Sequence, residues 1–221
     1  MGIGEPSRLE EWFGSEVFGI VNEVDLRAGK ADNELLRHIG VLKELRRLDL
    51  SGADIDDEGL GEIAHLPLRV LWLQETKITD ASAATISQIQ TLDFLQLNAT
   101  SLSDAFLEHL EPLPELENVG MRGTKVTADG MKYLPRHPKL KKLDVYHTQV
   151  DDAGVQHLVA CQSLSDLGLS MTKVTNEVFE SLNQLPNLTN ADLSANRPIT
   201  TEAVMAFEKT HPKCDIEWYG K

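Results

Sequence analysis

Residues 45–50, Leu45-Arg-Arg-Leu48-Asp-Leu50, decide the reading of this chain, because the same plan returns as Leu68-Arg-Val-Leu71-Trp-Leu73 and Leu92-Asp-Phe-Leu95-Gln-Leu97. It continues as Leu116-Glu-Asn-Val119-Gly-Met121, Leu140-Lys-Lys-Leu143-Asp-Val145, Leu164-Ser-Asp-Leu167-Gly-Leu169 and Leu188-Thr-Asn-Ala191-Asp-Leu193. An earlier copy stands at Val21-Asn-Glu-Val24-Asp-Leu26. The copies start 24, 23, 24, 24, 24, 24 and 24 residues apart, so eight units fill residues 21–211. Self-similarity at a constant short period marks a stacked-repeat architecture.

Each unit carries two periodicities. Its opening alternates with period two, which predicts a strand with one buried face. Further on, Leu60, Ile63 and Leu66, Leu107, Leu110 and Leu113, then Val155 and Leu158 recur about every three residues, which predicts a short helix or 3₁₀ turns. Thr79-Asp80, Ser103-Asp104, Asp151-Asp152 and Thr175-Asn176 precede these runs as helix N-caps. A strand and a return helix in 24 residues cannot bury their own apolar side, so neighbours must stack. Strands pack about 4.8 Å apart and helices about 8–10 Å, so the stack curves with the sheet inside. The predicted fold is a right-handed α/β solenoid, a horseshoe arc with a parallel sheet on its concave face and short helices on its convex face.

The repeats resemble the leucine-rich repeat family, and more closely its ribonuclease-inhibitor-like class and bacterial LxxLxLxxTxIxDxGLxxLxxL repeats. The family's usual Asn or Cys after the strand is replaced by Thr76, Thr100, Thr124, Thr148 and Thr172, while Asn196 keeps the Asn. The threonine hydroxyls are expected to satisfy backbone groups of the turns. Residues 1–20, with Leu9, Trp12, Phe13, Val17 and Phe18 out of step with the repeat, are expected to form an N-terminal helical cap. Residues 212–221, where Cys214-Asp-Ile216-Glu-Trp218 alternates, are expected to add a C-terminal cap strand.

The 221 residues carry 21 Lys and Arg against 35 Asp and Glu, a net charge of -14. That excess argues against nucleic-acid partners and anionic membrane surfaces, which require clustered cations. No apolar run reaches the length of a membrane span, and the first residues lack the blocks of a signal peptide. Two cysteines, Cys161 and Cys214, do not make a disulfide scaffold, and such usage favours the cytoplasm. No catalytic constellation, phosphate loop or zinc pattern occurs, so neither an enzyme nor a cofactor is expected. Asp54-Ile-Asp56-Asp-Glu58-Gly59 begins like a calcium loop, but His65 stands where the bidentate Glu belongs. His137 replaces a core Leu and is expected to be structural.

The candidate site lies on the concave face. The third, fifth and seventh places of each unit are freed from the core and point to solvent. Most are polar; Val70, Trp72 and Phe94 on neighbouring rungs are not. Trp, Tyr and Arg are enriched among binding hot spots, so Arg47, Val70, Trp72, Phe94, Gln96, Arg122, Tyr146 and the rim residue His147 are the candidate partner-binding residues. Aromatic cross-strand stacking alone is the competing reading. Over these columns and the terminal strand, acids number 8 and bases 5, so most of the negative charge lies elsewhere. An acidic horseshoe closing on a very basic enzyme, which the resemblance implies, is thereby weakened. The expected function is protein recognition by a monomer. A structural segment of a larger surface or signalling protein, and a glycan or small-ligand binder, are the alternatives.

Overall fold

The computed structural model describes residues 21–27 and 31–219, so the N-terminal cap expected over residues 1–20 lies outside the described residues. The strands are β1 Glu23–Asp25, β2 Arg47–Asp49, β3 Val70–Trp72, β4 Phe94–Gln96, β5 Asn118–Gly120, β6 Lys142–Asp144, β7 Asp166–Gly168, β8 Asn190–Asp192 and β9 Asp215–Glu217. They form one sheet in chain order, every neighbouring pair parallel. Between them run short helices: α1 Asn33–Ile39, α2 Asp57–Gly61, α3 Ser82–Ile86, α4 Asp104–His109, α5 Ala128–Met131, α6 Asp152–Leu158, α7 Val178–Leu182 and α8 Thr201–Thr210. A 3₁₀ turn, Leu134–Arg136, follows α5.

The core is the column structure made physical. The inward strand places Leu45, Leu48 and Leu50 are fully buried, as are Leu68, Leu71 and Leu73. The helix places Leu60, Ile63, Met131, Val155 and Leu158 are equally closed from solvent. Because each strand pairs in register with the next, Glu23, Arg47, Val70, Phe94, Asn118, Lys142, Asp166, Asn190 and Asp215 share one row of the open face. Asp25, Asp49, Trp72, Gln96, Gly120, Asp144, Gly168, Asp192 and Glu217 form the other.

Three polar ladders hold successive rungs in this register. First, Thr76, Thr100, Thr124, Thr148 and Thr172 each donate Oγ1 to the carbonyl three residues back, at 2.6–2.7 Å. Asn196 does more: its Nδ2 donates to both Leu193 and Leu169, and its Oδ1 accepts from the Thr172 N–H, so it bridges two rungs. Threonine closes its own turn, whereas asparagine also ties the turn to its neighbour.

The second ladder runs along the turn just after each strand. The eighth place of seven consecutive units has positive φ: Gly52, Glu75, Ala99, Gly123, His147, Met171 and Ala195. That conformation points the N–H toward the next rung, where Glu75 donates to the Asn98 carbonyl, Ala99 to Arg122 and His147 to Ser170. Only two of the seven are glycine, the residue for which the conformation is unstrained.

The third ladder stitches helix starts. Asp57, Asp80, Asp104 and Asp152 each accept from both the backbone N–H and the hydroxyl of the Thr or Ser one repeat later: Thr79, Ser103, Thr127 and Thr175. Ser103, Thr127 and Asp151 then cap their own helices, while the Thr79 and Thr175 hydroxyls accept from Ala81 and Glu177 before α3 and α7 begin. Where Asn33 stands in place of Asp, it exchanges two hydrogen bonds with Asp56. Gly59 leaves room for that asparagine, since a Cβ there would overlap the Asn33 amide.

One rung departs from the pattern, and its neighbours compensate. Pro112 interrupts the turn after α4, where Leu110 is extended, and the N–H groups of Glu111 and Leu113 lose their local acceptors. Ser87 Oγ accepts from Glu111 at 2.9 Å, and His137 Nδ1 accepts from Leu113 at 3.1 Å. His137 is 3 % exposed, and burial lowers its pKa from 6.5 to about 4. It is therefore a neutral acceptor inside the stack.

Candidate functional site

The candidate residues occupy the open face, and their contacts gather them into two groups. On β2–β4, the Trp72 and Phe94 rings lie 5.4 Å apart between centroids and tilted by 53°. The Arg47 guanidinium sits 5.3 Å above the Trp72 ring while its Nε lies 3.3 Å from Glu23. Trp72 and Phe94 are half-buried, each leaving part of its ring to solvent. Gln96 follows Trp72 in the same row, and its side chain folds across Gly120, where any Cβ would overlap it.

The second group lies on rungs five and six. Arg122 is ion-paired with Asp144, and that hydrogen-bonded carboxylate raises the arginine pKa above its ordinary value. The same guanidinium stands 5.9 Å from the Tyr146 ring. Tyr146 is 37 % exposed, donates its hydroxyl toward Met171 Sδ at 3.0 Å, and lies 6.0 Å from the His147 ring. No ring or ion contact joins this group to the Arg47–Trp72–Phe94 group among the described residues. The single mixed centre expected from the columns is thus two clusters, because where the adjoining strands β4 and β5 meet, the fifth-place row carries Gln96 and the side-chainless Gly120.

Val70 requires a correction. It occupies the outward register, between Arg47 and Phe94, yet is only 9 % exposed. A short side chain flanked by two long ones is roofed over by its row, so Val70 supports the patch rather than presenting itself to a partner.

A groove of about 300 Å³ runs on from Phe94 toward β9, with Asn118, Gly120, Gly168, Asn190, Asp192 and Glu217 among its walls. Column reading missed it as a site, although Gly120 and Gly168 in the fifth-place row were the visible signal. Two amide oxygens in it, Gln96 Oε1 and Asn190 Oδ1, are buried without a hydrogen-bond partner. Met171, 42 % exposed beside Tyr146, also escaped, although it holds the same eighth place in its unit as the candidate His147.

No group of His, Cys, Asp and Glu among the described residues converges as metal ligands do. The acids of the calcium-like stretch have structural partners: Asp56 caps α2, Asp57 holds Thr79, and Asp54 pairs with Lys77. Cys161 and Cys214 are free and buried, with burial raising both thiols to about 11. Among the described residues no helix is long and apolar enough to cross a membrane.

Comparison with known proteins agrees with this architecture. Residues 43–64 and 136–159 match the family described as Leucine Rich repeat. Among solved structures, internalin C2 of Listeria monocytogenes is similar at 18 % identity and a TM-score of 0.67, over 90 % of this chain and 81 % of that one. A leucine-rich-repeat protein of Leptospira interrogans is similar at 21 % identity and a TM-score of 0.61, over 81 % of this chain. This chain spans only 44 % of that protein's length. No curated protein sequence matches. Repeats and sheet together give this chain the fold of a leucine-rich-repeat solenoid.

Proposed function

We propose that this chain is a non-catalytic protein-recognition module whose partner lies along the concave sheet, with Arg47, Trp72 and Phe94 as the principal contact. The observation that carries the reading is that two large aromatic rings and a guanidinium stack on a sheet face whose core is already filled by Leu68, Leu71, Leu92 and Leu95. The fold does not need those rings, and Trp and Arg that are rigidly placed but still wetted suit a hot spot. Tyr146, His147 and Arg122 form a secondary contact near the rim. The module acts as a monomer of the ribonuclease-inhibitor-like class in the cytoplasm, where free Cys161 and Cys214 stay reduced.

Capture of partners from the source organism by immobilised wild type, run beside Trp72→Ala and Phe94→Ala, tests the reading. The expected result is a specific band lost with both variants and retained with a helix-face control such as Lys209→Ala. Equal capture by all four proteins would contradict it.

A further inference from the structure

Resting on the concave-face reading, we propose that the partner segment is an extended peptide with an apolar anchor at one end and a Lys or Arg about six residues away. Four features of the groove carry this.

The cationic side chains in the middle of the face are already engaged, Arg122 with Asp144 and Lys142 with Asp166. Beyond them, Asp215 and Glu217 have no ion-pair partner among the described residues and Asp192 has none within ion-pair distance, though the Arg122 charge acts on it. The described part of β8 and β9 thus carries an excess of acidic groups. Asn190 stands between Asp166 and Asp215 in its row, and its buried Oδ1 lacks a donor. A guanidinium or ammonium supplies donors and positive charge together, which neither an apolar nor an acidic group does.

Spacing follows from the sheet. Four strand intervals of about 4.8 Å separate β4 from β8, roughly 19 Å, which an extended chain rising about 3.3 Å per residue crosses in about six residues. Gly120 and Gly168 carry no side chain between the two ends, and the Gln96 and Asp144 side chains lean into the space they leave. The peptide therefore reads as apolar, then small and neutral, then basic.

A displayed library of random dodecapeptides selected on the whole protein tests this. Enriched sequences should pair an aromatic or aliphatic residue with a Lys or Arg about six places away. Selection on the Asp192→Asn/Glu217→Gln double variant should lose the basic preference about tenfold while keeping the apolar one. Trp72→Ala should do the reverse, and raised salt should weaken only the basic end. Enriched peptides without a basic residue at that spacing, or the same peptides emerging from the acidic-end variant, overturn the inference and leave the concave reading standing. Peptides indifferent to both variants overturn both. A library that yields no enriched sequence also overturns the inference, and the partner-capture comparison then decides the concave reading alone.

Discussion

His147 and Met171 show what one residue can reveal. Both sit at the eighth place of their units with φ of 54°, where Gly52 and Gly123 serve other rungs, and both are exposed, so core packing does not repay the strain. A side chain in this region costs about 1 kcal/mol or more relative to glycine. Ala99→Gly and His147→Gly are therefore expected to raise stability by up to about 1 kcal/mol each in chemical denaturation. If His147 contacts the partner, the second variant gains stability and loses affinity, a split that a purely structural histidine would not show. His137 makes the opposite case. The unfolded chain takes up a proton below its ordinary 6.5, the folded chain only below about 4. Stability is thus untouched above pH 6.5 and declines as pH falls from 6.5 to 4, by on the order of 3 kcal/mol in all. His137→Gln keeps an acceptor for the Leu113 N–H but does not titrate, so its acid limb should flatten over that window. An unchanged limb would mean that other groups govern it.

At the scale of the element, the helix starts obey a pairing rule with one exception. The Asp or Asn at or just before the first helical place meets the Thr, Ser or Asp that precedes the next helix. Asp57, Asp80, Asp104 and Asp152 meet Thr or Ser, Asn33 meets Asp56, and Asn176 meets Thr200. Ala128 occupies this place in α5, facing the cap Asp151, so the stitch between units five and six is missing. Gly154 already leaves the space, with Ala128 Cα 3.0 Å from where its Cβ would be. Ala128→Asn is expected to restore both hydrogen bonds, stabilising the chain by about 1 kcal/mol. Ala128→Asp should bring no gain, because two carboxylates would face each other. Equal thermal shifts for the two variants would refute the rule. Caps at Ser103 and Asp151 were legible in sequence because side-chain acceptors before an apolar run have a local cause. The stitch to the next repeat was not, since it joins residues 22–24 apart that meet only once the rungs are in register.

For the whole molecule, period and alternation were enough to give the parallel sheet, its strand order and the inward columns, because each follows from burying one face of a short repeat. They were insufficient for the site. Which outward residues touch depends on side-chain lean along the rows: Val70 is roofed over, Gln96 folds onto Gly120, and Arg122 turns to Asp144 rather than toward Trp72. Such lean is set by neighbours on both rungs and leaves no periodic trace. The central claim is that the rings on β3 and β4 serve recognition while the leucines between them hold the fold. Leu71 and Trp72 are adjacent on β3 and face opposite sides, so their alanine variants form an internally controlled pair. Equilibrium denaturation of Leu71→Ala and Trp72→Ala is the direct test. The account predicts a loss of about 2–5 kcal/mol for Leu71→Ala and less than half of that for Trp72→Ala. Equal losses would make Trp72 part of the structural core and contradict the account.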